Sequence, residues 1–289
     1  HVLFRRQRQM CIRDSLTTGK HLCDMPEKLV FRGGFGFKKK QPNVLLLLPK
    51  TKGPIGIKNF KKLIKDNFNL LEYDDIATEK LGIFNITDVN SLESKALAIN
   101  IALEKWKGTK FHIICHSTGC GLGTFIAKNN IEECKSLILI SPWNKKDKDF
   151  TSIQKKKVDN SKNLETIMYL KSEYNLLYSA EYIHKFKVQF NNHILNQKNN
   201  IVDVINIEKR LKSILDCNIG DELHKLKQPK LFINALDDKL MKVYHGIELQ
   251  RICNNSELIT LNSGGHMLTE TRTNDLIKHI KKFLNFLGR

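Results

Sequence analysis

Residues 111–127 read FHIICHSTGCGLGTFIA, and the fold turns on how this stretch divides. FHIIC, 111–115, is a short apolar run of the length and composition of a buried strand. Ser117 follows at once, and Gly119, Gly121 and Gly123 then punctuate a turn and a helix built of small residues. The stretch is therefore read as strand, sharp turn and helix, with Ser117 at the apex.

The same rhythm extends outward on both sides. Upstream, VLLLL at 44–48 is a fully buried strand and PKTKGPIG at 49–56 a Gly/Pro loop. A short helix, roughly Lys58–Asn67, leads into strand FNLLEY at 68–73, and LVFRGGF at 29–35, broken by glycines, is an early hairpin strand. Residues 91–106 place apolar side chains at helical spacing, with Ser91 as N-cap. Downstream, LILIS at 137–141 is another buried strand. Residues 142–222 are polar, rich in Lys and Asn, and read as several helices without buried strands. From Leu223 the alternation resumes with a short helix, strand KLFINA (230–235), helix 244–253, strand ELITL (257–261) and a closing helix 274–287. Strands alternating with helices imply an α/β class with a mostly parallel sheet covered on both faces. Residues 25–141 and 223–289 form the expected core, and 142–222 a helical cap inserted into it. Residues 1–15, HVLFRRQRQMCIRDS, do not match the remaining composition and are read as a non-native tail; a chain beginning at Leu16 or Met25 is expected to fold and work equally well.

Cys115-His116-Ser117-Thr118-Gly119 resembles the nucleophile elbow, G-x-S-x-G, of the α/β-hydrolase family. In that family the serine stands in a strained conformation at the strand-to-helix turn, so the positions two before and two after it must be small. Gly119 obeys, while Cys115 departs from glycine and is read as tolerated crowding. QPKLFINALDDK, 228–239, resembles the strand that carries the catalytic acid. Aligning Ala235 with the usual glycine puts the carboxylate at Asp238, with Asp237 the fallback. NSGGHML, 262–268, resembles the histidine loop, with His266 reaching back toward the serine. The chain order Ser, Asp, His is that of this fold. The resemblance covers nearly all of residues 29–287.

It implies that His266 takes the proton of Ser117 while Asp238 fixes the imidazole tautomer, with no metal or cofactor. The N–H of Thr118 would bind the oxyanion, helped by the helix N-terminus. A second donor would come from the loop after VLLLL, where many relatives carry His-Gly and this chain has Pro49-Lys50-Thr51-Lys52-Gly53. Proline has no N–H, so the donor is Lys50 or Thr51. The stretch YDDIATEKLG, 73–82, also lacks the Gly-rich turn common in relatives. Trp143 either lines the pocket floor as a substrate contact or packs in the core. His116 and His112 are read as packing or structural residues, and His184, His193, His224 and His245 have no partner pattern.

The segment NLLYSAEYI at 175–183, with the later Asp-Asp and Gly-Gly-His spacing, is similar to RutD-type proteins. These belong to bacterial pyrimidine degradation and act on aminoacrylate or carbamate. The resemblance implies a small polar pocket. Two other readings stay open: a general carboxylesterase or C–C bond hydrolase with the same triad, and a catalytically silent binding protein.

The net charge is +18, from 48 basic and 30 acidic residues. The excess is mostly Lys spread along the chain with abundant Asn and Ile, and no aromatic-interleaved basic stretch appears. A solvated basic surface is favoured over a nucleic-acid partner. Seven cysteines, in no metal-binding pattern, and no evident signal peptide suggest a reducing cytoplasm. No apolar run approaches a membrane span. The expected partner is a small-molecule substrate, and a homodimer is left open.

Overall fold

The computed structural model describes residues 31–49, 53–73 and 91–287. Residues 1–15, and Lys50 and Thr51 with them, lie outside the described residues.

A seven-stranded sheet runs in the order β1-β3-β2-β4-β5-β6-β7. Its strands are β1 (Phe31–Gly33), β2 (Asn43–Leu47), β3 (Asn69–Tyr73), β4 (Phe111–His116), β5 (Cys134–Ile140), β6 (Lys230–Ala235) and β7 (Ser256–Leu261). Among the described residues only β1 pairs antiparallel, on β3 at one edge, and every other pairing is parallel. The glycines of LVFRGGF cut β1 short.

The unbroken apolar runs of the central strands follow from burial on both faces. Leu45, Leu47, Ile113, Cys115, Leu137 and Leu139 point into one apolar cluster. Their neighbours Val44, Leu46, Ile114, Ile138 and Ile140 point into another. Helix α1 (Lys58–Asn67) supplies Phe60 and Ile64 to the second cluster. Helix α2 (Leu92–Leu103) and helix α3 (Thr118–Asn129) close the first. The Ser91 hydroxyl caps α2 by accepting from the Ser94 N–H, worth about 1 kcal/mol. The expected helix 91–106 ends at Leu103 and tightens into a 3-10 turn over Glu104–Trp106.

Between β5 and β6 the chain makes helices and no strand: α4 (Lys148–Asn163), α5 (Thr166–Leu177), α6 (Ala180–Lys185), α7 (Lys187–Gln197), α8 (Val204–Leu215) and α9 (Ile219–Leu223). Side-chain N-caps at Asp147, Ser179 and Asp203 start three of these helices. Phe150, Leu177 and Tyr178 join the same apolar cluster as α2 and α3, so this block packs directly over that face. After β6 come α10 (Tyr244–Ile252), then, beyond β7, α11 (Leu268–Thr271) and α12 (Thr273–Leu287). Helix α12 returns Ile280 and Phe283 to the cluster of α1. Among the described residues no helix is long and apolar enough to cross a membrane, and Cys115, Cys120, Cys134, Cys217 and Cys253 are free thiols.

Because β2 lies between β3 and β4, the chain changes winding direction there. The carboxyl ends of strands at such a switch open a crevice where ligands bind in open α/β sheets. Ser117, Asp238 and His266 all follow the carboxyl ends of strands at that edge.

Candidate active site

Strand β4 ends at His116 and helix α3 begins at Thr118, leaving one residue, Ser117, to make the turn. Its backbone sits at φ 54°, ψ −122°, a sparsely populated conformation that costs roughly 1–3 kcal/mol. The surrounding packing holds it there. The Ser117 N–H donates to the carbonyl of Ile140 (2.9 Å), and its own carbonyl accepts from the Cys120 N–H (2.8 Å). A Cβ on Gly119 would lie 2.2 Å from the Leu47 carbonyl oxygen, so only glycine lets α3 start this close to β2. Cys115 is accommodated by a different glycine. A Cβ on Gly123 would stand 3.1 Å from the Cys115 Sγ, so the bulk added before the serine is offset along the helix. Burial raises the Cys115 thiol well above its ordinary range, and Sγ donates to the Ile138 carbonyl, which marks it as a packing group.

Ser117 stands at the N-cap of α3, but its hydroxyl does not cap the helix. Instead Oγ lies 2.8 Å from His266 Nε2, and His266 Nδ1 lies 2.9 Å from Asp238 Oδ2. With Nδ1–H donating to the carboxylate, Nε2 is left bare toward the serine. The other carboxylate oxygen, Asp238 Oδ1, accepts from the Leu240 and Met241 N–H groups at 2.9 Å each. All three side chains are shielded: Ser117 is 5% exposed, Asp238 3% and His266 2%. Thr118, half-buried, supplies the first N–H of α3, one of the helix-terminal amides that have no carbonyl a turn earlier. Lys50 and Thr51, the two candidates for a second donor, lie outside the described residues.

The adjacent aspartates separate into two roles. Asp238 meets His266, whereas Asp237 Oδ1 accepts the Gly265 N–H at 2.8 Å and ties down the loop that carries the histidine. Gly265 itself has φ 65°, and a Cβ there would sit 2.7 Å from the Leu177 carbonyl oxygen. That carbonyl, at the end of α5, accepts from both His266 N–H (2.8 Å) and Met267 N–H (3.2 Å).

Sequence reasoning missed several supports of this loop. His116 is fully buried, and its Nε2 donates to the His266 carbonyl (2.9 Å) while its Nδ1 faces the Thr269 hydroxyl (3.2 Å). Burial, with His266 adding to it, pushes the His116 imidazole down to about 3, so it stays neutral. The Ser141 hydroxyl also reaches the His266 carbonyl. Glu270, on α11, is buried and accepts from the Ile55 N–H (3.1 Å) and the Tyr178 hydroxyl (3.1 Å). A lone glutamate in TETRTND gives no periodic signal, and nothing in PKTKGPIG or NLLYSAEYI pairs Ile55 or Tyr178 with it. Trp143 is fully buried, donates Nε1–H to the Cys217 carbonyl (2.7 Å) and packs in the cluster beneath α3. His112 bonds the Ser136 hydroxyl at 2.7 Å, away from Ser117. Among the described residues, no three His, Cys, Asp or Glu side chains are grouped to hold a metal ion.

A family model described as alpha/beta hydrolase fold matches residues 91–273. The chain is 23% identical over 203 residues to RutD of Stutzerimonas stutzeri, a provisionally named carbamate hydrolase, spanning 70% of this chain and 76% of that one. The Agrobacterium fabrum RutD, with the same provisional name, is 22% identical over 76% of this chain and 84% of its own. Among solved structures, an alpha/beta hydrolase enzyme from a Medee basin deep-sea metagenome library superposes with a TM-score of 0.73 at 15% identity, covering 90% of this chain and 94% of that one. The enol-lactonase of Burkholderia xenovorans superposes at 0.67 and 14% identity, over 88% and 95% of the two chains. At these identities the superpositions speak for the fold.

Proposed function

The chain belongs to the α/β-hydrolase fold family, and from that premise we propose that it is a serine hydrolase working through Ser117, His266 and Asp238. One observation carries the reading. A serine held at φ 54° between strand and helix directs its hydroxyl, uncapped, to a buried imidazole backed by a carboxylate.

In the proposed reaction, His266 Nε2 takes the Ser117 Oγ proton as Oγ adds to the substrate carbonyl. Asp238 holds Nδ1–H in place and stabilises the imidazolium that forms. The oxyanion is met by the Thr118 N–H at the positive end of α3 and by a second amide from Lys50 or Thr51. The imidazolium then protonates the leaving group. The same His266 next activates water, which adds to the acyl or carbamoyl serine and releases the enzyme.

The substrate proposed is a small carboxyl, carbamate or amide-type compound handled in pyrimidine degradation, carbamate being one; aminoacrylate, handled there too, has no acyl group to transfer, and on it His266 would instead activate water for addition to the imine carbon with loss of ammonia. Two observations support it: the provisional carbamate-hydrolase name of the RutD relatives, and the enclosure of the site beneath residues 142–222, taken as the cap, where the Leu177 carbonyl sits on the histidine loop.

Two measurements test the proposal. A fluorophosphonate should label the wild-type chain and not Ser117→Ala, whose turnover should fall by about 10⁴–10⁶-fold. A folded wild type that resists labelling returns the chain to the class of silent binding proteins. In the substrate panel, carbamate or aminoacrylate turnover should exceed that of medium-chain p-nitrophenyl esters. The reverse order points to a general carboxylesterase.

A further inference from the structure

Glu270 has no part in the proton relay, yet it is a carboxyl group only 8% exposed in the chain segment that carries His266. Burial pushes it above the ordinary carboxylate range, and bonds from the Ile55 N–H, the Tyr178 hydroxyl and the Gly56 N–H oppose that push. Every one of these partners donates, and a carboxylate has lone pairs enough to accept them all. The phenols of Tyr174 and Tyr182 also feel its charge, and both are raised, chiefly by burial.

The partners come from two separate parts of the molecule. Ile55 and Gly56 belong to the loop that follows β2, and Tyr178 ends the cap helix α5. The loop crosses directly over the carboxylate–phenol pair: a Cβ on Gly53 would fall 1.9 Å from both Glu270 Oε2 and Tyr178 Oη. Glycine is what permits that crossing. The residue before Tyr178, Leu177, meanwhile accepts the His266 and Met267 N–H groups. One buried carboxylate thus joins the β2 loop, the cap and the histidine segment at a single junction.

We propose that Glu270 is a positioning residue that holds the Gly53–Gly56 loop and Tyr178 in register with His266, so that the loop after β2 meets the reacting carbonyl beside Ser117. This rests on the serine-hydrolase reading above. Glu270 touches no reacting atom; it acts through the loop.

The test compares wild type with Glu270→Ala and Glu270→Gln in the full chain. The readouts are p-nitrophenyl acetate kinetics, thermal unfolding and backbone amide exchange. In Glu270→Ala, exchange at residues 53–57 should accelerate. Its kcat should drop about 10–100-fold with KM held within about threefold, since losing a complete oxyanion donor costs about 10²–10³-fold. Gln keeps an acceptor for the loop amides and can face Tyr178 with its NH₂, so Glu270→Gln should recover most of kcat at neutral pH. A purely structural role would move the unfolding temperature without faster exchange at residues 53–57 and without a loss confined to kcat. Unchanged exchange at 53–57, or accelerated exchange with kcat unaltered, overturns the proposal. Should Glu270→Ala fail to fold, Glu270→Asp, whose shorter side chain keeps the charge but withdraws it from the loop, takes its place, and unchanged exchange at 53–57 or an unaltered kcat in it overturns the proposal. A wild type that neither labels nor turns over would instead sink the hydrolase reading, and the exchange arm would still decide whether Glu270 holds the loop.

Discussion

The serine turn and the histidine loop lie within hydrogen-bond distance of each other but are built on opposite principles. Ser117 is placed by its own neighbours: a strand ending at His116, a helix starting at Thr118, and glycines at 119 and 123 that let the helix seat. His266 sits in a loop that no regular element shapes. Its position is set by groups from distant segments: the Leu177 carbonyl, the His116 ring, the Asp237 carboxylate and, through α11, Glu270. The proposed nucleophile is encoded locally and its proposed base globally. Damage at the first should therefore cost stability together with activity, whereas damage at the second should cost activity first.

The sharpest version of this contrast is between the two adjacent aspartates. Asp238→Asn should lower kcat by about 10⁴-fold, because an amide in place of the carboxylate no longer enforces Nδ1–H and the tautomer presented to Ser117 is wrong. Asp237→Asn removes only charge from the bond to the Gly265 N–H, so a loss of about tenfold is expected. Steady-state kinetics on the purified pair decide the matter. Equal losses would mean that Asp237 acts on the imidazole itself and that the division of roles drawn above is wrong.

The glycines provide the next comparison. Gly119→Ala sets a methyl 2.2 Å from the Leu47 carbonyl oxygen, between two regular elements that cannot easily part. Overpacking of this kind costs about 1–3 kcal/mol or more, so the unfolding temperature should fall by several degrees. Gly265→Ala meets backbone too, at 2.7 Å from the Leu177 carbonyl oxygen, but it does so from a loop rather than from a helix seated on a strand. Here kcat should fall about tenfold, with a smaller change in unfolding temperature, a left-handed alanine costing about 1–2 kcal/mol. A larger stability loss at Gly265 than at Gly119 would erase the distinction between the two regions.

The same distinction explains what could be read from the sequence. Apolar runs long enough for buried strands mark β2, β4 and β6 nearly to the residue, because burial on both faces leaves a continuous signal, while β5 begins three residues before its run at Leu137. Ser117, Asp238 and His266 are legible because each lies in a motif that resembles the family's and that follows an expected strand within a few residues. The supports of the loop are not. Nothing near Glu270 reveals that a loop some 215 positions earlier crosses it, and nothing near Leu177 reveals that its carbonyl accepts the His266 N–H. Cys115 was recognised as crowding, but its relief at Gly123 depends on how strand and helix face each other. Trp143 illustrates the limit from the other side: its indole N–H finds the Cys217 carbonyl, a partner that lies 74 positions away in the chain.

His116 belongs to both regions, since it immediately precedes the serine and its ring holds the histidine loop, and it supports the smallest prediction. Its imidazole sits at about 3 in the folded chain against an ordinary 6.5, burial being the main cause. The native state therefore binds fewer protons than the unfolded chain between those values, and stability rises with pH there. The contribution is complete above about 6.5 and is lost progressively as pH falls toward 3. His112, lowered to about 4 by burial and by Lys135, works in the same direction. Thermal unfolding followed from neutral to acid pH should show the midpoint falling across this window, with a shallower fall in His116→Gln, which leaves the His112 share intact. Glutamine can still donate to the His266 carbonyl, so kcat at neutral pH should change by less than about tenfold. If the variant's midpoint falls as steeply as wild type's, His116 is not buried as a neutral ring. The loop would then have to be held by its other tethers alone.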